Sequence, residues 1–456
     1  MIGQRVSLEW TMGAAADDAV SAPVWAALDW DSPKGNGAEW DGATGDNVDW
    51  DRPTWPDAPH AQSWEPLHAL GNANAEMWHI ARAVAIFCLA FLLITSTTST
   101  PELDVRIMAR TGIEAALVME EAAWQADDKA LYDTLVDDGI ELRWINDWRD
   151  LWRLELNRRQ DFGASLSSIE PLGDLFEARV IIARPSVDWW RSSPYVERRF
   201  YRQTARGWVR TLPAQSFWGV EQTQETAHII FSFMARDAVN VAPIMAQVEQ
   251  IYVESRRAFH LPPPSTTQKL HITVTPEMIR RWYYNRNQVL ITSPIVSKTP
   301  VELSEAEFLK QTLADLLVYR AIENASVNNQ ANFYRWGMMI WGLSGWLRTD
   351  LVGDRSPWDR QANGYFHQLV TLPLKLEAVS DWQGDEPPTR ERLMAQYEAA
   401  ESIVDYIVAT YGREQLPALL DALSEYTQWD TVITELFGVS RAEFEAGWNR
   451  HIAQYY

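Results

Sequence analysis

Histidine is the side chain best suited to bind a metal or move a proton, and the chain has His60, His68, His79, His228, His260, His271, His367 and His451. Zinc chemistry of the HExxH type needs two His at i and i+4 on one helix face, with a Glu that activates the zinc-bound water. None of these His is followed directly by Glu, and no two stand at i,i+3 or i,i+4. His260 and His271 flank a loop and the start of a strand, where an ordinary structural or exposed role is the default. The single Cys88 rules out an intrachain disulfide framework, a Cys-ligated zinc and an iron–sulfur site. No G-x-S-x-G, G-x-x-x-x-G-K-[ST] or G-x-G-x-x-G run occurs. Gly342-Leu343-Ser344-Gly345 is not a nucleophile elbow, because its surroundings read as an amphipathic helix rather than a strand–turn–helix. Asp137-Asp138 and Asp385-Glu386 read as solvated turns.

The elements that would have to position any chemistry begin well inside the chain. Its 456 residues suggest two or three domains. A formal charge of −22 with no basic stripe to offset it excludes nucleic acid as a partner. Residues 1–76 read as a disordered acidic tail that buries too little apolar surface to offset its ordering entropy. Asp29-Trp30-Asp31, Glu39-Trp40-Asp41 and Asp49-Trp50-Asp51 recur in it at a fixed interval. Trp30, Trp40 and Trp50 are either chance features of a solvated spacer or equivalent acidic-aromatic linear motifs that anchor a protein partner.

Residues 77–100 hold the most apolar run, Ala83 to Ile94, followed by uncharged Thr95 to Thr100. No charge separates Arg82 from Glu102, close to the roughly 20 residues that a bilayer needs. The expectation is one transmembrane helix in the cell membrane, with the tail cytoplasmic because Arg82 flanks the near side. The C-terminal domains are then extracytoplasmic. A soluble core helix is one alternative, and a signal sequence of a chain begun at Met77 is another.

Beyond the span, the expected fold class is α+β. Residues 105–219 read as a long helix through Ile113 to Leu135, a Trp- and Arg-rich helical patch at 144–158, and strands at 176–183, 195–203 and 208–212. A helix carrying Glu120-Glu121-Ala122 and Trp124, then Arg199-Phe200-Tyr201-Arg202, Gly207-Trp208 and Phe217-Trp218-Gly219, resembles the nuclear-transport-factor-like or SnoaL-like cone domain. That resemblance implies an apolar pocket able to serve enzymes and non-enzymes alike. Trp189, Trp190, Phe217 and Trp218 would line it, or form ordinary core.

Residues 225–456 carry a second resemblance. The strand from His228 to Phe233, a helix over 242–259, the strand at Lys269 to Pro276, Tyr411-Gly412, Phe437-Gly438, Phe444-Glu445 and Trp448 are in the order of the peptidase-MA-like, gluzincin-type domain. It implies a mostly helical domain with HExxH on one helix and a ligand Glu downstream. Here Gln311, Thr312 and Asp315 stand where His, Glu and His would, and Ser344 where the ligand Glu would. The resemblance therefore implies a pseudo-peptidase with no catalytic residue, metal or cofactor. It places Asn328, Asn329, Trp336, Trp341 and Trp346 along the cleft. The function expected is non-catalytic: a membrane-anchored binding, sensing or scaffold protein with a protein or peptide partner. A ligand-binding or enzymatic role in the cone pocket is the alternative, ahead of a metallopeptidase with atypical ligands.

Overall fold

A computed structural model describes residues 101–126, 128–137, 163–183, 194–277, 283–285, 287–326, 335–380 and 389–456. The tail with Trp30, Trp40 and Trp50, the apolar segment at 77–100, the patch at 144–158, Trp189, Trp190, Asn328 and Asn329 lie outside the described residues. Among the described residues the chain is α+β with two sheets. No helix among them is long and apolar enough to cross a membrane. They belong to two compact units, one of residues within 101–181 plus Arg199–Leu212, the other of Ile182–Arg198 and Pro213–Tyr456.

The smaller unit opens with α1 (Pro101–Gln125) and α2 (Lys129–Thr134). Ala109, Ile113, Ala116, Leu117 and Ala123 recur at helical spacing and are buried. One continuous helix was expected here, but the Asp128 carboxylate accepts the Leu131 N–H at 2.9 Å and caps a new helix. Strands β1 (Ala164–Leu172), β2 (Leu175–Ile182) and β3 (Tyr195–Thr204) are neighbours in one sheet, and β4 (Gly207–Thr211) pairs antiparallel with β3. Gly207 makes the tight turn between β3 and β4 at φ 109°. The Trp208 indole packs against Gly112 so closely that an added Cβ would stand 2.1 Å from the ring.

The larger unit starts from a mixed sheet. Strands β5 (Glu221–Glu225), β6 (Ile229–Met234), β7 (Leu270–Thr275), β8 (Tyr283–Asn285) and β9 (Gln288–Thr292) lie in the order β5-β6-β7-β9-β8. β6, β7 and β9 are mutually parallel, and a parallel pair needs a crossover. Helix α3 (Met245–Ala258) supplies it between β6 and β7. Alternate residues of the strands, Phe231, Phe233, Ile272 and Ile291 among them, bury against Val248 and Ile251 of α3 and Leu313 and Leu317 of α4 (Glu305–Ala325).

The rest of the unit is helical. It comprises α5 (Gly337–Val352), α6 (Pro357–Leu369), α7 (Arg390–Tyr411), α8 (Gln415–Glu425), α9 (Trp429–Phe437) and α10 (Arg441–Tyr455). Their boundaries follow local chemistry. Ser304 and Thr389 cap α4 and α7, and full capping boxes, Ser356 with Asp359 and Ser440 with Glu443, begin α6 and α10. Gly353 and Gly438 end α5 and α9 in the left-handed conformation. Leu343, Ile403, Val404, Phe444 and Trp448 lie in the apolar core these helices share.

Just after β6, Asp237 has a fully buried carboxyl. Its Oδ1 accepts a hydrogen bond from Ser293 Oγ at 2.6 Å, while Oδ2 has no hydrogen-bond partner among the described residues. Burial, with Glu305 nearby, pushes this carboxyl up to about 6 against the opposing influence of Ser293 and Arg198. In the unfolded chain it titrates near 3.8. The folded state therefore holds the proton longer, and stability is lost as pH rises through that window, by roughly 3 kcal/mol in full. Asp237→Asn is expected to flatten this loss. Urea unfolding midpoints of the variant and the original chain should run parallel below pH 4 and separate in the variant's favour towards pH 7.

Candidate functional site

Gln311, Thr312, Asp315 and Ser344, the positions expected to stand in place of a zinc motif, lie on two packed helices, α4 and α5. Gln311 is buried. The Thr312 hydroxyl donates back to the Phe308 carbonyl at 2.8 Å, a bond internal to the helix. Asp315 Oδ1 lies 3.2 Å from Arg348 Nε as an ion pair whose geometry falls short of a hydrogen bond. Ser344 is half-buried one turn before Arg348 on α5. The set offers one carboxylate and no imidazole, and a guanidinium already sits against that carboxylate. A dication there would meet the positive charge of Arg348 at short range. These residues do not fit a catalytic zinc.

Arg348 is the centre of a buried polar network. Its Nη2 also binds Asp359 Oδ2. Asp359 is fully buried, and its remaining contacts are the Ser356 N–H at 2.8 Å and the Tyr397 hydroxyl at 3.2 Å. The same Tyr397 hydroxyl lies 2.7 Å from Glu401 Oε1. One turn back on α7, Glu398 Oε1 accepts from Arg355 at 2.7 Å and from Asn363 at 2.9 Å. Burial holds the Glu401 carboxyl well above the ordinary carboxylate range, and Asp359 and Glu398 beside it act in the same sense. Burial raises Glu398 likewise, against the pull of Arg355. Gly345 makes this closeness feasible, because a Cβ there would stand 1.7 Å from the Tyr397 hydroxyl and 2.3 Å from Glu401 Oε1.

On the outer side of this network is a cavity of about 710 Å³. Helical spacing aims its walls. Trp346, Thr349 and Asp350 come from one face of α5, Glu401, Asp405 and Ala409 from one face of α7, and His451 and Tyr455 from α10. Asp405 is fixed from two sides, by Trp346 Nε1 at 3.0 Å and His451 Nε2 at 2.8 Å. Arg355 and Tyr456 complete the rim, with the Arg355 guanidinium 5.8 Å from the Tyr456 ring centre. Burial, followed by Asp405, raises the Tyr456 hydroxyl. The volume falls in the range of small-ligand sites, and aromatic walls with a few convergent polar groups are their usual lining.

The structure divides the expected cleft residues. Trp346 lines the cavity. Trp341 packs instead beside Tyr397, Ala362 and Met394. Trp336 is core: it is buried, donates to the Tyr426 carbonyl at 3.0 Å and meets Trp429 edge-on. Phe217 stacks under Arg236, and Trp218 is buried beside it. In the smaller unit, the Glu120 carboxylate is bound by Arg199 at 2.6 Å and Tyr201 at 3.2 Å, and all three are buried. Arg348, Asp359, Glu401, Asp405 and His451 were not anticipated. The signal for the acidic members on α7 was present in the sequence: Glu398, Glu401 and Asp405 fall on one stripe of the helix among the apolar run from Ala399 to Val408.

Among the described residues no group of three or more His, Cys, Asp or Glu is placed to hold a metal ion. Comparison with protein-family models and with curated proteins finds no match to the chain.

Removing one member of a buried ion pair strands the other. Arg348→Met is expected to cost about 3–5 kcal/mol in urea unfolding. Adding Asp359→Asn should return part of that loss by removing the stranded charge. A double-mutant cycle in which the two losses simply add would mean that the side chains do not depend on each other.

Proposed function

We propose that the chain is a non-catalytic binding protein, a pseudo-peptidase whose larger unit receives a ligand in the cavity between α5, α7 and α10. One observation carries this reading. At the positions aligned with the zinc motif, Asp315 is engaged by Arg348, while the concave site with aromatic walls lies on the Trp346 side of α5. The Arg348 network gives those walls a rigid backing, as a preorganised binding site requires. A peptide or protein segment is the partner class most in keeping with the peptidase resemblance. The uncharged run at 83–100 supports a single membrane anchor, with the tail cytoplasmic and the units outside. The acidic Trp repeats at 30, 40 and 50 would then act on the opposite side as a weak multivalent ligand.

Two measurements test this. The purified full chain, equilibrated with zinc and dialysed, should retain far less than one zinc per chain and hydrolyse no unfolded protein substrate. Short peptides should raise its melting temperature, and Trp346→Ala should abolish that rise. Tightly held zinc with chelator-sensitive hydrolysis overturns the proposal, as does a peptide response indifferent to Trp346. For the anchor, a reporter fused after Tyr456 should be active only in a form that works outside the cytoplasm. Full-length chain recovered in the soluble fraction would count against it.

A further inference from the structure

We infer that the cavity takes a primary alkylammonium group, a peptidyl lysine side chain or a free polyamine, held by Glu401, Asp405 and Thr349 against aromatic walls. This rests on the binding role proposed above and names the ligand class for the same site.

Charge comes first. Asp315, Asp359, Glu398, Glu401 and Asp405 share only Arg348 and Arg355 as guanidinium partners within this network, an excess of acidic groups of which Asp359, Glu398 and Glu401 are buried. The excess is concentrated at the cavity. Glu401 and Asp405 stand at i and i+4 on α7, an arrangement that is repulsive when both are ionised. Arg355 does little to relieve it there, because its Nη1 is 2.7 Å from Glu398 while its Nη2 is 4.0 Å from Glu401 Oε2.

Unmet hydrogen-bonding capacity comes second and is independent of the count of charges. Glu401 is 2% exposed, yet it forms part of the cavity wall. Its Oε1 is bonded by Tyr397, and its Oε2 has no hydrogen bond among the described residues. The Thr349 hydroxyl on the facing helix is buried and also lacks a partner among the described residues. Asp405 keeps acceptor capacity beyond its bonds to Trp346 and His451, since each carboxylate oxygen has two lone pairs. An ammonium carries three N–H donors and no acceptor, which matches such a set of acceptors. A planar guanidinium favours a bidentate carboxylate instead. The remaining wall suits an alkyl stem: Trp346, Tyr455 and Tyr456 are aromatic, and a cation gains further from their ring faces. A bare metal ion would leave most of the 710 Å³ unfilled.

Calorimetric titration of the full chain decides the matter, using lysine blocked at both termini, its ε-acetylated form, doubly blocked glutamate, and spermidine. Blocked lysine or spermidine should bind, and whichever binds more tightly identifies the source. Acetylation at ε should weaken binding at least about tenfold, as should Asp405→Asn, with a smaller loss for Glu401→Gln. Added salt should weaken the charged ligands alone. Melting curves on the same samples establish that each variant is folded. If ε-acetyl-lysine binds as well as lysine, or glutamate binds better, the ammonium inference is overturned while the cavity remains a binding site. If none of the four binds, the inference falls, and the peptide response at Trp346 then decides the broader reading separately.

Discussion

The contact between Arg348 and Asp359 fixes the arrangement of the helices around α5 in the larger unit. Neither group can be buried alone at tolerable cost, so the helices carrying them must meet in a single register. Asp359 is committed twice: its carboxylate completes the capping box with Ser356 that starts α6, and it takes the guanidinium that α5 presents. Local helix initiation and tertiary packing are thereby satisfied by one side chain, the agreement between levels that singles out one fold. Through Arg348 the constraint reaches Asp315 on α4, and through the Tyr397 hydroxyl it reaches Glu401 on α7.

Close helix contact is what lets so few groups connect so many elements. Gly342 and Gly345 both face α7. A Cβ on Gly342 would lie 2.6 Å from the Ala400 backbone, and one on Gly345 would occupy the space of the Tyr397 hydroxyl. Glycine costs helix stability in the middle of α5. Here that cost is offset by packing, because the missing Cβ leaves room for the Tyr397 hydroxyl to meet both Asp359 and Glu401. One turn after Gly342, Trp346 holds Asp405 of the same α7, so one helix backs the ion-pair network and walls the cavity.

Much of the fold was legible in the sequence. Strand and helix patterns located β2, β3, β4, β6, β7 and α3 to within a few residues, because each has an apolar face that must be buried. β1 was missed because its Ser-rich run, Ala164 to Leu172, exposes much of one side and lacks a strong alternation. The helix break at Asp128 was missed because the capping signal is a single side chain. The candidate site was less legible still. A search for His-based motifs starts from residues whose spacing announces a metal, whereas the network here joins acids and arginines far apart in the chain. Trp336 and Trp346 look alike in sequence, and only tertiary packing sends one into the core and the other to the cavity.

The chemistry of the cavity follows from where the cost of desolvation falls. A surface carboxylate that binds a cation must first lose its water, and the gain is correspondingly small. Glu401 has already lost most of its water to folding, and that burial is the main cause that holds its carboxyl above the ordinary range. Asp405 is oriented in advance by an indole and an imidazole. A charged group entering between them meets acceptors that need little further rearrangement, which is the condition under which polar contacts favour binding over mere pairing. An active hydrolase would place such preorganised charge beside a reacting bond. In this chain Asp315 of α4 is paired with Arg348 of α5, and the preoriented Glu401 and Asp405 stand beside an aromatic-walled space.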